Sequence, residues 1–83
     1  MITEKTELQE LFDHAIAATE MVIVGESFMV RDLFTVLEWN RIPRGLRTKL
    51  GSMFLRHVQS QIPQTFVENG KTLQNQQIYK RVL

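Results

Sequence analysis

Eight side chains between Arg41 and Gln59 are the strongest candidates for chemistry in this chain. Arg41, Arg44, Arg47, Lys49 and Arg56 make up half of its ten basic residues, and Thr48, Ser52 and Gln59 are interleaved with them. Guanidinium and ammonium groups hold phosphate oxygens without regard to sequence, whereas hydroxyls and amides can bond the edges of bases. Short polar groups flanked by cations are what a helix needs to read bases while gripping the backbone.

For these residues to act together they must share one helix. Leu46, Leu50, Met53, Phe54, His57 and Val58 fall at i, i+4, i+7, i+8, i+11 and i+12. That spacing draws a single apolar stripe at 3.6 residues per turn and predicts a helix from Pro43 to Gln61. Proline suits the first turn because its missing N–H would have no partner there. Thr48, Ser52 and Gln59 then point away from the stripe, with Arg44, Lys49 and Arg56 beside them. Taken alone, the stretch reads first as an ordinary surface helix with a solvated basic face. Its setting in the chain changes that weighting.

The setting is electrostatic. Net charge is only +1 over 83 residues. From Met1 to Glu38, however, eight acids stand against Lys5 and Arg31, a net of −6. From Trp39 to Leu83, Glu68 stands alone against eight bases, a net of +7. Such asymmetry predicts one face that seeks anions and one that avoids them. The length predicts a single domain over residues 1–83, with one modest core and no deep two-lobed cleft. Cysteine is absent, which removes disulfides, thiolate metal sites and cysteine nucleophiles.

Catalysis finds little support. The two histidines, His14 and His57, belong to different predicted helices, and His57 lies on the apolar stripe. There is no HExxH, CxxC, GxxxxGK or GxSxG pattern. The carboxylates sit on outer faces, without the desolvation that tunes an acid–base pair. The expectation is a protein that is not an enzyme and needs no cofactor or metal. Met1 to Lys5 leads into acidic and polar residues instead of an apolar run, and Met21-Val22-Ile23-Val24 is too short to cross a bilayer. A cytoplasmic protein with no membrane partner is therefore expected.

The remaining elements follow from local signals. Thr6-Glu7-Leu8-Gln9 fits a capping box, and Leu8, Leu11, Phe12, Ala15, Ala18, Thr19 and Val22 continue at helical spacing, so a first helix is predicted from Thr6 to Met21 or Val22. Gly25 supplies a stop. Ser27 to Val30 is a short strand that must pair with something later in the chain. A second helix is predicted from Arg31 to Trp39, burying Leu33, Phe34 and Leu37, with Trp39 as a core-edge anchor. About three residues then lead into the long helix, as in a helix-turn-helix. Gly51 weakens that helix and marks close approach to another helix or to a ligand backbone. Leu55 points away from the core, either covering the following hairpin or contacting a partner. Thr65–Glu68 and Gln77–Val82 are strand-like. Asn69-Gly70 could close a tight hairpin between them, but a wider loop from Asn69 to Gln76 uses the better strand formers, and its Lys71 and Asn75 suit contact with phosphates.

Helix, short strand, two helices and a hairpin make an α+β winged helix-turn-helix: three helices closed by a small antiparallel sheet, with the hairpin loop as a wing beside the third helix. The run Phe28-x-Val30-Arg31-Asp32-Leu33-Phe34, followed by Glu38-Trp39-Asn40-Arg41-Ile42-Pro43-Arg44-Gly45-x-Arg47-x-x-Leu50-Gly51-x-x-Phe54, resembles a family of small uncharacterised proteins of Gram-positive bacteria, their plasmids and phages. Gly70-Lys71-Thr72 and Asn75-Gln76-Gln77-Ile78-Tyr79 resemble the same family's C-terminal pattern. The resemblance spans Phe28 to Tyr79. It implies a winged-helix-like fold, suggests nucleic-acid binding, and supplies no catalytic residues.

The reading that results is a small DNA-binding protein, a regulator or accessory factor of a mobile element with a role in transcription. Thr48, Ser52 and Gln59 would enter the major groove of double-stranded DNA. Arg41, Arg44, Arg47, Lys49, Arg56, Lys71 and Asn75 would hold its backbone. One module covers a short site, so a homodimer reading two half-sites is expected. The rival is a protein–protein module, an inhibitor or adaptor of a host factor, using Leu55 and the acidic first helix.

Overall fold

A computed structural model describes residues 1–83. Helix α1 spans Leu8–Ala18 and runs into a 3-10 turn at Thr19–Met21. Strand β1 is Ser27–Phe28, followed by a second 3-10 turn at Val30–Leu33. Helix α2 is Val36–Arg41 and α3 is Arg44–Ser60. Strands β2, Phe66–Lys71, and β3, Gln77–Arg81, complete the chain. The three strands form one antiparallel sheet in the order β1-β3-β2. The short strand at Phe28 does find its partner late in the chain: Ser27 lies opposite Lys80 and Phe28 opposite Tyr79.

The apolar stripe of α3 is the centre of the core. Leu50, Phe54 and Val58 are fully buried, against Leu11 and Ala15 of α1 on one side and the sheet on the other. Phe28, Phe66 and Tyr79 come from three adjacent strands and close around Phe54. Phe54 and Tyr79 meet edge-on with centroids 5.0 Å apart, and Phe28 and Phe66 do the same at 5.4 Å. Offset and edge-on arrangements suit the ring quadrupoles and add about 0.5–1.5 kcal/mol per pair beyond burial. His57 packs edge-on to Phe12 at 5.6 Å, in keeping with its place on the stripe. Three helices, the third leading into a hairpin that a short early strand completes, make a winged helix.

Four local expectations are corrected. The Thr6 hydroxyl does not cap α1. It accepts from the Thr3 amide at 2.8 Å, closing a turn that seats Ile2 in the core, while Gln9 bonds Asp13 one helical turn on. The strand at 27–30 stops at Phe28, because Asp32 accepts from the Met29 amide at 2.8 Å and starts the 3-10 turn. The helix expected over Arg31–Trp39 is broken at Phe34–Thr35. Thr35 caps a new helix in a reciprocal box with Glu38: the Glu38 amide donates to Thr35 Oγ1 at 3.1 Å, and the Thr35 amide donates to Glu38 Oε1 at 2.8 Å. This late start turns Leu37 outward, so it is exposed, while Leu33 and Phe34 stay buried in the connection.

The fourth correction concerns the hairpin. Asn69-Gly70 is not a tight turn, in line with the wider-loop reading, but it is not loop either. Glu68 pairs with Tyr79 and Lys71 with Gln77, and the register shifts between them, with Gly70 at φ +88°. Glycine takes that left-handed backbone without a Cβ clash, so Asn-Gly makes a bulge inside β2. The loop is shorter than Asn69–Gln76 and lies at Thr72–Gln76. The Asn75 amide donates to the Thr72 carbonyl at 2.9 Å, the Gln76 amide to Thr72 Oγ1 at 3.1 Å, and Asn75 takes φ +64°. Asparagine is among the few residues that tolerate this conformation. The wing tip is therefore a hydrogen-bonded turn and not a slack loop.

Candidate nucleic-acid interface

Helix α3 and the hairpin tip enclose an open groove of about 630 Å³. Arg44, Thr48, Gly51, Ser52 and Leu55 form its helical wall, since residues at spacings of three and four share a face. Lys71, Gln74 and Asn75 form the opposite wall from the hairpin. Trp39 and Tyr79 lie at its base. Arg31 enters from the 3-10 turn after β1, so one of the two bases of the acidic half joins the basic side. Four of the 16 lining residues are Arg or Lys and none is acidic.

The cations there are not spent on the protein's own carboxylates. The one approach of a basic side chain to a carboxylate side chain within 4 Å is His14 Nε2 to Glu38 Oε1, at 3.8 Å. Arg31, Arg44, Lys49, Arg56 and Lys71 are all exposed. Lys49 and Arg56 lie outside the groove, on the flank of α3 that faces away from the hairpin, so the exposed strip of the helix has cations along both sides. The first turn of α3 adds to the field. Pro43 offers no side-chain cap, and the turn carries Arg44 and no acid. A helix start has unpaired N–H groups and partial positive charge, which an acid or a bound anion ordinarily complements.

Two other arginines have structural partners. Arg47 reaches back across the α2–α3 turn, where Nε donates to the Ile42 carbonyl at 2.9 Å and Nη2 to the Trp39 carbonyl at 2.9 Å. Its guanidinium also sits 5.2 Å from the Trp39 ring centroid. It touches the groove but is occupied in clamping the helix-turn-helix. Arg41 Nη1 donates to the Ile2 carbonyl at 3.1 Å and tethers the N-terminal segment. Gln59 lies beyond the groove, its amide 3.4 Å from the Glu68 carboxylate of β2. The structure thus brings together Arg44, Arg47, Thr48, Ser52, Lys71 and Asn75, and leaves Arg41, Lys49, Arg56 and Gln59 outside the groove. Leu55 is half-buried, packed against the core, and lines the groove between α3 and the hairpin.

Sequence reasoning missed Arg31 and Gln74. Arg31 looked like part of the acidic half, and only the pairing of β1 with β3 carries it across. Gln74 was passed over in an amide-rich loop. Gly51 did give a signal, and the structure narrows its meaning. A Cβ added there would meet nothing within 4 Å, so no neighbouring helix requires glycine.

A second concavity runs between α1 and the segment from Glu26 to Glu38. Glu26, Asp32 and Glu38 line it, with no Lys or Arg. Each of these carboxylates accepts from a backbone amide at the start of a turn: Ile23, Met29 and Thr35. Hydrogen bonding to Thr35 holds the Glu38 carboxyl below its usual range, against the opposing effect of burial, and His14 and Arg41 add to the lowering. Tyr79, beneath the basic groove, has its phenol pushed up to about 12, first by burial and second by the Glu68 charge. It stays neutral at ordinary pH.

The family model described as a domain of unknown function, DUF1413, matches residues 13–81. The chain belongs to the DUF1413 family. No curated protein matches it. The DUF1413 chain is similar to a solved structure described as "SCCmec type IV LP1413 - nucleic acids binding protein". The TM-score is 0.72 at 16% identity, over 92% of this chain and 94% of the other. At that identity the likeness establishes the shared fold. None of its helices is long and apolar enough to cross a membrane.

Proposed function

We propose that this protein is a nucleic-acid-binding regulator or accessory factor of a mobile element, acting by binding and not by catalysis. Its leading ligand is double-stranded DNA. One observation carries the reading: a groove between α3 and the wing that gathers four cations, hydroxyls and amides and contains no carboxylate. Thr48 and Ser52 lie where base edges would meet the helix. Arg44 and Lys71 face each other across the groove as phosphate ligands, and Lys49 and Arg56 supply the outer flank. Arg31 joins this set, while Arg47 serves the fold. The structural neighbour's description as an SCCmec nucleic-acid-binding protein supports the same reading. A homodimer on two half-sites fits the short reach of one module.

Titration of duplex DNA at several salt concentrations tests this. If Arg31, Arg44, Lys49, Arg56 and Lys71 each neutralise one phosphate, log affinity falls with log salt at a slope of about −4.5 on B-DNA. Affinity then drops about 500-fold between 50 and 200 mM salt. Arg44→Ala or Lys71→Ala lowers the slope by about 0.9 and the drop to about 150-fold. Unchanged slopes in both variants would refute the assignment. Parallel titration of single-stranded DNA and RNA ranks the ligand classes. Capture of a protein partner from lysate that survives nuclease treatment would favour the rival use of the acidic α1 surface.

A further inference from the structure

The acidic concavity between α1 and residues 26–38 has an apolar lining that the fold leaves open. It encloses about 830 Å³. Ala17, Ala18 and Met21 line it on one side, Leu33 and Phe34 on the other, and its charged residues are Glu26, Asp32 and Glu38. Each carboxylate is fixed by a backbone amide through one oxygen, and its other oxygen has no hydrogen-bond partner in the protein. Met21, Ile23 and Val24 are exposed where the concavity meets the sheet. There the Gly25 amide donates to the Arg81 carbonyl at 2.8 Å and the Arg81 amide to the Glu26 carbonyl at 3.0 Å, which sets Val82 and Leu83 alongside. Five of the ten large hydrophobic side chains exposed in the molecule thus gather in one place, and contiguous apolar surface marks interaction sites.

We propose that this concavity docks a cationic amphipathic helix of a partner protein, whose apolar side chains cover Met21 and the lining while its Lys or Arg side chains meet Glu26, Asp32 and Glu38. Charge selects the occupant. A nucleic acid is repelled by three carboxylates with no Lys or Arg among them. A second copy presenting the same face would set Glu20, Glu26 and Asp32 against their own counterparts, and like charges facing across an interface are costly. A helix whose apolar stripe is bordered by cations complements both the lining and the rim. The docking is independent of what the basic groove holds. The segment from Phe28 to Trp39 is the wall between the two sites: Arg31 and Trp39 line the groove, while Asp32 and Glu38, beside them in the chain, line the concavity. One molecule can therefore hold a ligand on each side.

The test selects a random peptide library displayed on phage against the full chain, with counter-selection on Met21→Lys. That variant removes exposed apolar surface and adds a cation without opening the core. Enriched peptides should carry apolar residues at i, i+3 or i+4, and i+7, with two or more Lys or Arg beside them. A labelled synthetic copy of such a peptide should bind Met21→Lys about tenfold more weakly than wild type. Glu26→Gln, which keeps an acceptor for the Ile23 amide, should bind it about two- to fivefold more weakly. Glu10→Gln, an exposed acid outside the concavity, should match wild type. In the isotope-labelled protein, the amide resonances of Met21, Glu26, Asp32 and Glu38 should shift, and those of Ser52 and Lys71 should not. Equal losses in Glu10→Gln and Glu26→Gln would reduce the attraction to the general field of the acidic half and overturn the site. Enrichment of peptides without cations, or no enrichment, also overturns it. Self-association of the protein alone that Met21→Lys abolishes does the same, because the occupant is then a second copy. Failure of the nucleic-acid titrations leaves every one of these outcomes readable.

Discussion

Replacing Arg47 with alanine separates a structural arginine from a phosphate ligand. Its two hydrogen bonds, to the Ile42 and Trp39 carbonyls, are charge-assisted and short at 2.9 Å each. Such bonds contribute about 1.5–3 kcal/mol apiece when dry. Arg47 is half-buried, and water can replace part of each bond, so about 1 kcal/mol apiece is a fair share. Stacking over Trp39 adds about 0.5 kcal/mol at a partly exposed site. The loss is about 2–2.5 kcal/mol. For a domain of this size each kcal/mol moves the melting temperature by about 4–8 °C, so Arg47→Ala should melt about 8–20 °C below wild type. Thermal denaturation followed by circular dichroism measures this. DNA titration well below the transition should then show a salt slope equal to wild type. Arg47→Lys should recover little, because an ammonium cannot bond two diverging carbonyls while stacking on the ring. The reasoning fails if Arg47→Ala melts with wild type and loses about 0.9 from its salt slope.

Thr35→Ala removes the cap of α2 and should cost about 1 kcal/mol, seen as a fall of about 4–8 °C in melting temperature. Gly51→Ala should stabilise α3 by about 0.5–1 kcal/mol, since its methyl meets nothing. If a ligand backbone passes over that position, the same variant binds DNA more weakly, and opposite signs in melting and titration would show it. Arg31→Ala should lower the salt slope by about 0.9 and leave the melting temperature unchanged, a result that acidic-half membership alone would not predict. Tyr79 has a raised phenol, so its contribution is intact below pH 10 and lost as pH climbs from about 10 towards about 12, where the unfolded chain releases the proton first. Alkaline melts should steepen in that window, and Tyr79→Phe should flatten it.

The long basic helix was legible because its signal is periodic and local. Leu46, Leu50, Phe54 and Val58 mark its buried face without reference to any other element, and whatever is opposite must face solvent. The chain's polarity was also readable, since charge counts need no coordinates. Sequence likewise placed the late strands and the need for a partner to Phe28. Errors arose where two local signals competed. Thr6 with Gln9 and Thr35 with Glu38 both fit a capping box; only the second forms, because Thr6 is recruited by Thr3 to bring Ile2 inward. The wider loop is rightly preferred over a tight Asn69-Gly70 turn but is begun too early, because pairing of Lys71 with Gln77 keeps Asn-Gly inside β2 as a bulge.

What sequence alone determined, then, was one amphipathic basic helix, an acidic first half and a hairpin, because periodicity, charge and turn chemistry are written in neighbouring residues. What tertiary structure decided was which cations are free to meet a ligand. Arg44 and Arg47 are three residues apart on one helix and chemically identical. The first opens on the groove, and the second folds back onto two carbonyls and a tryptophan ring. Arg31 lies far from both in the chain, and the pairing of β1 with β3 delivers it to the same groove. A side chain's availability depends on partners that other elements bring to it, and long-range packing is what sets those partners.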